Sequence, residues 1–503
     1  MFNRQILTAV IMCGLMLIAG AAAAQTLRIG LPEDPDTFDP PLLHSYVDRI
    51  VLAALCDKLI DIGPELEIVP QLATEWQWTD DGKGLVMKLR PGIKFHDGEP
   101  FDAAAVKYNI ERNLTIPGST RKPDLGTVNG VEVIDEHTVK LVLSAPYSPL
   151  LAQLAAVIGT MISPKAARAA GEDFGSRPIC SGPFKFVEHV AQDRVVVERF
   201  ADYWDKDKIK LDRIVYLPIP DTTVRLANLQ SGGLDLVAVA ATDLETVRKD
   251  PRLRVAVVNG TGYSGITINV ANGERSKTPL GQDARVRQAL ELSIDREALN
   301  EVAFNGEFEP GNQWVAPTNP YYIKELPMPA RDVTKAKALL AAAGATHPVV
   351  ALTVPNNPIS MQVAQVIQAM AKDAGFDIRI LATEFGSLVQ HVAKGDFEAV
   401  LVGWPGGRAD PDGNISNPLT CNSAYNDAHY CNDEVDRELD TARSLDTRAD
   451  RLAHYRIAAE HILQDLPIIY LYYPKWLYAH TARLSGFMPY PDGVIRPQGL
   501  QLQ

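Results

Sequence analysis

The chain predicts an α/β fold of more than one domain, on three observations. Short β runs alternate with helical runs from end to end, three strands of the second half are of a wholly buried type, and 503 residues of ordinary globular composition exceed what one hydrophobic core organises. The buried-type runs are 349–354, 377–382 and 399–404, rich in Val, Ile and Leu. Apolar strands separated by helices are the pattern of parallel units covered on both faces.

The elements follow in order. Arg4 precedes an almost wholly apolar run, 6–20, and Ala22-Ala23-Ala24 stands before Gln25. This is the layout of a cleavable export signal over residues 1–24, too short for a comfortable membrane span, so the mature chain is expected in the periplasm. Residues 26–31 alternate as a strand, and 48–60 have a helical pattern. Residues 84–90 and 131–143 read as strands and hairpins, and 194–198 and 213–219 as strands. A helix over 222–230 is stopped by Gly232-Gly233, and 234–239 is a β run. Asp283 caps a helix through Ser293, and Asp295 caps the next, which ends at Asn305-Gly306. Helices over 332–343 and 360–374 are stopped by Gly344 and Gly375.

A net charge of −13 and the lack of a basic, aromatic-studded patch argue against nucleic acid. Past the signal, Cys56, Cys180, Cys421 and Cys431 remain, an even set for an oxidising compartment. Cys421 and Cys431 flank one short polar loop and are expected to pair. Pairing of Cys56 with Cys180 follows by elimination, the alternative being two buried free thiols.

Catalytic patterns fail one by one. His96-Asp97 lacks a second ligand set, and Asp97-Gly98 between two β runs is a turn signal. In Gly262-Tyr263-Ser264-Gly265-Ile266, Ile266 stands where a nucleophile elbow needs glycine. Asp410, Asp412 and Asn414 alternate as in a calcium loop, but Ile415 and Cys421 replace its required Gly and Glu. His454 and His461 share a helix face without further ligands, and no phosphate-binding glycine loop occurs. No enzyme, metal or cofactor is therefore expected.

A series of blocks does carry a signal. Leu72-Ala73-Thr74-Glu75-Trp76 and Asp80-Asp81-Gly82-Lys83 are followed by residues 89–101 and Ser181-Gly182-Pro183-Phe184-Lys185-Phe186. Then come Ala201-Asp202-Tyr203-Trp204, Leu229-Gln230-Ser231-Gly232, Val286-Arg287-Gln288-Ala289-Leu290 and Gly403-Trp404 leading to Asp410-Pro411-Asp412. In this order, over nearly the whole mature chain, they resemble the dipeptide/oligopeptide-type solute-binding proteins of ABC importers, solute-binding family 5. The resemblance implies a two-lobed periplasmic-binding-protein fold of the type II-like, venus-flytrap kind, with an extra α/β subdomain in lobe I. Lobe I would comprise 25–65, 179–268 and the return 481–503, the subdomain 66–178 and lobe II 269–480, with chain crossings near 268 and 480. It also implies a monomer that captures a small peptide-like solute between the lobes and docks on an ABC permease at the inner membrane. A general oligopeptide carrier and a periplasmic sensory receptor of the same fold are the competing readings.

Dipeptide binders of that family hold a zwitterion between an Asp and an Arg. Here Gly407 falls at the Asp position, and Met361 or Gln362 at the Arg position. Arg408 is a new charge, expected either to hold an anionic group of an opine-like or glutathione-like ligand or to pair with Asp410 or Asp412. The candidate ligand-binding residues are Trp404, Gly407, Arg408 and Asp410, with Tyr263 and Tyr46 beside the expected lobe junctions.

Overall fold

The computed structural model of the chain describes residues 25–503 except His44, Pro405 and Gly407. The expected export signal and the Gly407 assignment therefore lie outside the described residues.

Two large sheets organise the molecule. The first has seven strands in the order Leu253–Asn259, Lys475–Thr481, Leu236–Ala238, Thr26–Leu31, Arg213–Pro218, Arg194–Arg199, Phe184–Val190. Thr26–Leu31 runs parallel to both of its neighbours. The second has six strands in the order Glu309–Pro310, Ile468–Tyr473, Tyr263–Ile268, Ala399–Trp404, Val349–Pro355, Asp377–Thr383. Of the three strands read as parallel units, Val349–Pro355 pairs parallel with both others. Tyr263–Ile268 enters antiparallel, so the sheet is mixed. The buried-type pattern reports two covered faces, which a central antiparallel neighbour satisfies equally well. It holds for most of Val349–Pro355 and Ala399–Trp404, whereas Asp377–Thr383 lies at the sheet edge and is largely exposed, contrary to expectation.

Sheet membership corrects the expected domain boundaries. Tyr263–Ile268 belongs to the six-stranded sheet and Lys475–Thr481 to the seven-stranded one. The chain therefore changes sheets between Asn259 and Tyr263 and again between Tyr473 and Lys475, several residues before the expected 268 and 480. Both crossings fall at interruptions in otherwise continuous β runs, where hydropathy alone gives no break. They touch each other: Gly260 N–H donates to the Pro474 carbonyl at 3.1 Å.

A third body lies between Cys56 and Cys180. Its sheet runs Ala73–Thr79, Gly84–Leu89, Thr138–Leu143, Val128–Asp135. The helix Ala103–Thr115, capped by Asp102, packs over an apolar core of its own, with Leu85, Met87, Phe95, Val106, Ile110 and Leu141. The His96-Asp97-Gly98 turn closes here, with Gly98 at φ +86° and its N–H on the Phe95 carbonyl at 2.9 Å. It docks on the Cys180 segment. His96 accepts from Cys180 N–H at Nδ1, 3.4 Å, and its Nε2 faces the Gly182 carbonyl at 3.0 Å. Asp97 accepts from the Ser163 hydroxyl at 2.7 Å.

Local signals account for most helix ends. Asp283, Asp295 and Asp332 each accept a backbone N–H at a helix start, and Gly232, Asn305 and Gly375 turn left-handed after the last turn. The helix expected over 48–60 is Tyr46–Leu55. Ser45 and Asp48 form a reciprocal capping box that starts it early. It stops at extended Cys56, which is bonded to Cys180; Cys421 is bonded to Cys431. The C-terminal stretch returns to the first body, where Leu484, Ile495 and Leu500 join the core of Thr26–Leu31.

Candidate functional site

A cleft of about 780 Å³ opens where the two large sheets meet. Its base carries the crossings, Gly260 and Pro474. Trp476, on the seven-stranded side, and Tyr263, Tyr472 and Trp404, on the six-stranded side, give it aromatic walls with Phe304 and Phe308. Tyr263 and Trp404 are register partners on adjacent strands, so one face of the sheet presents both rings together.

Two helices begin at this cleft. Thr222–Ser231 is capped by Asp221, and Pro358–Ala374 is capped by Asn357 with proline in its first turn; the first residues of each line the cavity. Helix starts carry partial positive charge, so the two together favour an anionic ligand group. Arg225, buried on the first helix, donates to the carbonyls of Ile219 (2.6 Å), Pro220 (2.9 Å) and Ala238 (3.3 Å). No described carboxylate pairs with it, and burial lowers its pKa.

Trp404 also lines a second, smaller cavity of about 170 Å³, with Arg49, Arg121, Arg408, Asn417 and Tyr425. Arg49 comes from the Tyr46–Leu55 helix, Arg121 from the third body and Arg408 from the loop after Ala399–Trp404. Asp124 accepts from Arg121 Nη1 at 3.2 Å and from Arg408 Nη2 at 2.6 Å. Burial lowers the Arg49 guanidinium to about 10, reinforced by repulsion from Arg121 and Arg408.

The profile of the bacterial extracellular solute-binding proteins, family 5, middle region, matches residues 67–426. The chain belongs to that family. Glutathione-binding protein GsiB of Pectobacterium atrosepticum is 28% identical over 507 residues, 98% of this chain and 97% of the relative. The binding protein AgaA of A. tumefacien R10, solved with agropinic acid, superposes with TM-score 0.84 at 26% identity, covering 95% of this chain and 99% of that one. A dipeptide binding protein of pseudoalteromonas sp. SM9913, solved with Met-Leu, gives TM-score 0.86 at 23% identity over 95% and 100% of the two chains, a likeness of fold.

This solute-binding protein is thus a component of an ABC-type importer, and its two-lobed α/β build is that of its family. Among the described residues, no helix is long and apolar enough to cross a membrane.

The residues singled out in the sequence separate on the structure. Trp404 and Tyr263 line the main cleft. Tyr46 is displaced from it: the ring stacks on Trp476 at 4.6 Å, and the hydroxyl meets Tyr478 and the Gly493 carbonyl. It supports a cleft residue rather than forming the wall. Arg408 pairs with neither Asp410 nor Asp412. Asp410 is held by both Nη atoms of Arg451, at 2.5 and 2.8 Å, and Asp412 by Arg443 at 2.8 Å. Each acid thus has a guanidinium of its own, buried for Arg451 and partly exposed for Arg443, and Asp410 lines neither cavity. At the helix start that carries Arg in dipeptide binders, Gln362 lines the cleft, while Met361 packs into the core.

Arg225, Trp476 and the Arg49–Arg121 pair were not read from the sequence. An arginine inside a helix and a tryptophan in an apolar run carry no local mark of the cavity that they border. Asp433 beside Cys421 and Cys431 is the one described group within metal-binding reach, but its sulfurs are spent on the disulfide.

Proposed function

We propose that this solute-binding protein is exported to the periplasm as a monomer, captures a small acidic peptide-like solute in the main cleft, and hands it to an ABC permease without altering it. The observation that carries the reading is the cleft: about 780 Å³ across the two chain crossings, with aromatic walls and two helix starts. That volume lies in the range of about 300–1,000 Å³ typical of small-ligand sites. Aromatic faces suit a peptide backbone and aliphatic side chains, and helix starts suit carboxylates. Gln362 in place of a cleft arginine weighs against the zwitterion clamp of a plain dipeptide. The relatives named for glutathione and agropinic acid point the same way.

Mass spectrometry of material released from the gently denatured protein tests this directly. The expected release is an acidic solute of small-peptide size that rebinds in calorimetry. Trp404→Ala is expected to weaken rebinding at least tenfold, about 1.4 kcal/mol, with unchanged thermal unfolding of the free protein. Tight binding of plain dipeptides regardless of side chain, untouched by Trp404→Ala, overturns the reading in favour of a general oligopeptide carrier.

A further inference from the structure

The smaller cavity has more positive charge than its own residues balance. Arg49, Arg121 and Arg408 share it, and Asp124 is the acid that serves them. The next acids along the loop, Asp410 and Asp412, are bound to Arg451 and Arg443. The Arg49 side chain makes no hydrogen bond or salt bridge with any described residue. The Nε of Arg408 is buried and likewise has no partner among the described residues. Among the described residues, two positive charges are therefore unmatched in a chamber of about 170 Å³ that is partly screened from water. Leaving them so is costly in a low-dielectric site. Guanidiniums in such a place recognise carboxylates through paired N–H donors.

We propose that this chamber seats a compact dicarboxylate head of the solute, two carboxylates on one carbon, on neighbouring carbons or on one amine, reached from the main cleft past Trp404. The inference rests on the proposed function in that the head belongs to the molecule held in the cleft. Arg49 supplies the uncommitted donors, and Arg408 adds its free Nε while its Nη2 stays on Asp124. The side-chain amide of Asn417 adds a neutral donor at the wall. The three arginines come from three parts of the fold, so the dicarboxylate ties the third body and the first sheet's helix to the loop of the six-stranded sheet. A dipeptide with a single carboxylate leaves one of the two charges unmet, and the chamber selects against it.

Malonate serves as the probe, since it needs no knowledge of the natural solute. Thermal unfolding of the full mature protein is followed in malonate, phosphate and chloride at equal ionic strength. Wild type is expected to gain stability saturably with malonate and less with phosphate. Arg49→Gln is expected to raise the malonate dissociation constant at least tenfold, and to be no less stable than wild type without the anion. Arg49→Lys is expected to keep part of the response. Equal malonate responses in wild type and Arg49→Gln overturn the proposal, as does no saturable response in wild type. A stronger response to phosphate reassigns the chamber to phosphorylated solutes and likewise overturns it. Failure of Arg49→Gln to fold, rescued by Arg49→Lys, also overturns it, because the charge would then belong to the fold. Failure of the cleft reading looks different: peptide-like solutes show no Trp404-dependent heat while the malonate response persists.

Discussion

At the scale of the residue, partners decide what a side chain does, and partners are often far away in sequence. Arg408 has acids two and four positions downstream, the choice that sequence offers. The structure gives it Asp124, 284 positions upstream, because the downstream pair is already held by Arg451 and Arg443. Proximity along a chain is a weak guide once a loop folds under itself. His96 illustrates a signal read correctly as a turn yet with a further consequence. Burial holds its pKa down at about 4, offset in part by the Gly182 carbonyl. Its Nδ1 accepts from Cys180 N–H, so the folded state needs the neutral ring. The unfolded imidazole titrates near about 6.5. Because the folded pKa is the lower, the unfolded chain binds more protons between these values, and stability rises with pH. The contribution is present above about 6.5 and is lost as pH falls toward about 4, roughly 2 kcal/mol after allowing for the solvent that reaches the ring. Urea unfolding of wild type and His96→Gln at pH 7 and pH 4.5 checks it. The difference between the two proteins is expected to shrink at the lower pH; a constant difference removes the assignment.

At the scale of the element, the sequence is legible where local chemistry fixes an end. Asp283, Asp295 and Gly375 are readable because a short acceptor at the start and a left-handed residue at the finish satisfy backbone groups without help from elsewhere. Sheet order is not local. The strands Ile468–Tyr473 and Lys475–Thr481 form nearly one apolar stretch, and Pro474 alone divides two different sheets. The opposing crossing at Gly260 is equally plain in sequence, but its geometry is demanding. A Cβ there would lie 2.7 Å from the Pro474 carbonyl oxygen, inside contact distance, and would part the hydrogen bond that joins the crossings. Gly260→Ala is expected to destabilise by about 1–3 kcal/mol and to weaken solute binding several-fold, although it touches no proposed ligand group. Denaturant unfolding together with calorimetry checks both effects. Unchanged affinity would mean that the crossings tolerate separation.

At the scale of the molecule, the family series of blocks implied two lobes and an inserted body, while composition offered only an α/β chain too long for one core. The cleft was readable through Trp404 and Tyr263, which sit at a strand's end and a strand's start. The arginine chamber was not, since it is assembled from three separate segments. The inserted body leaves the first lobe after Cys56 and returns at Cys180, so their disulfide closes a loop of sequence separation 124 at its neck. Replacing both cysteines with alanine is expected to cost about 2–5 kcal/mol, read from denaturant midpoints in oxidising buffer. Reduction of wild type also opens Cys421–Cys431 and should cost at least as much, and no loss in the double variant would show the neck to be held by packing alone. The paired crossings at Gly260 and Pro474 also set a lever. Rotation about them moves an atom in proportion to its distance from the axis. Trp404, whose partner Tyr263 follows the first crossing directly, sits on a short arm, whereas the helix starts at Thr222 and Pro358 belong to different sides of the cleft. Contacts on the short arm exist before the lobes shut and govern how fast a solute is caught. Contacts spanning the two sides form only on shutting and govern how long it is kept, so substitutions in the two places should separate association from dissociation.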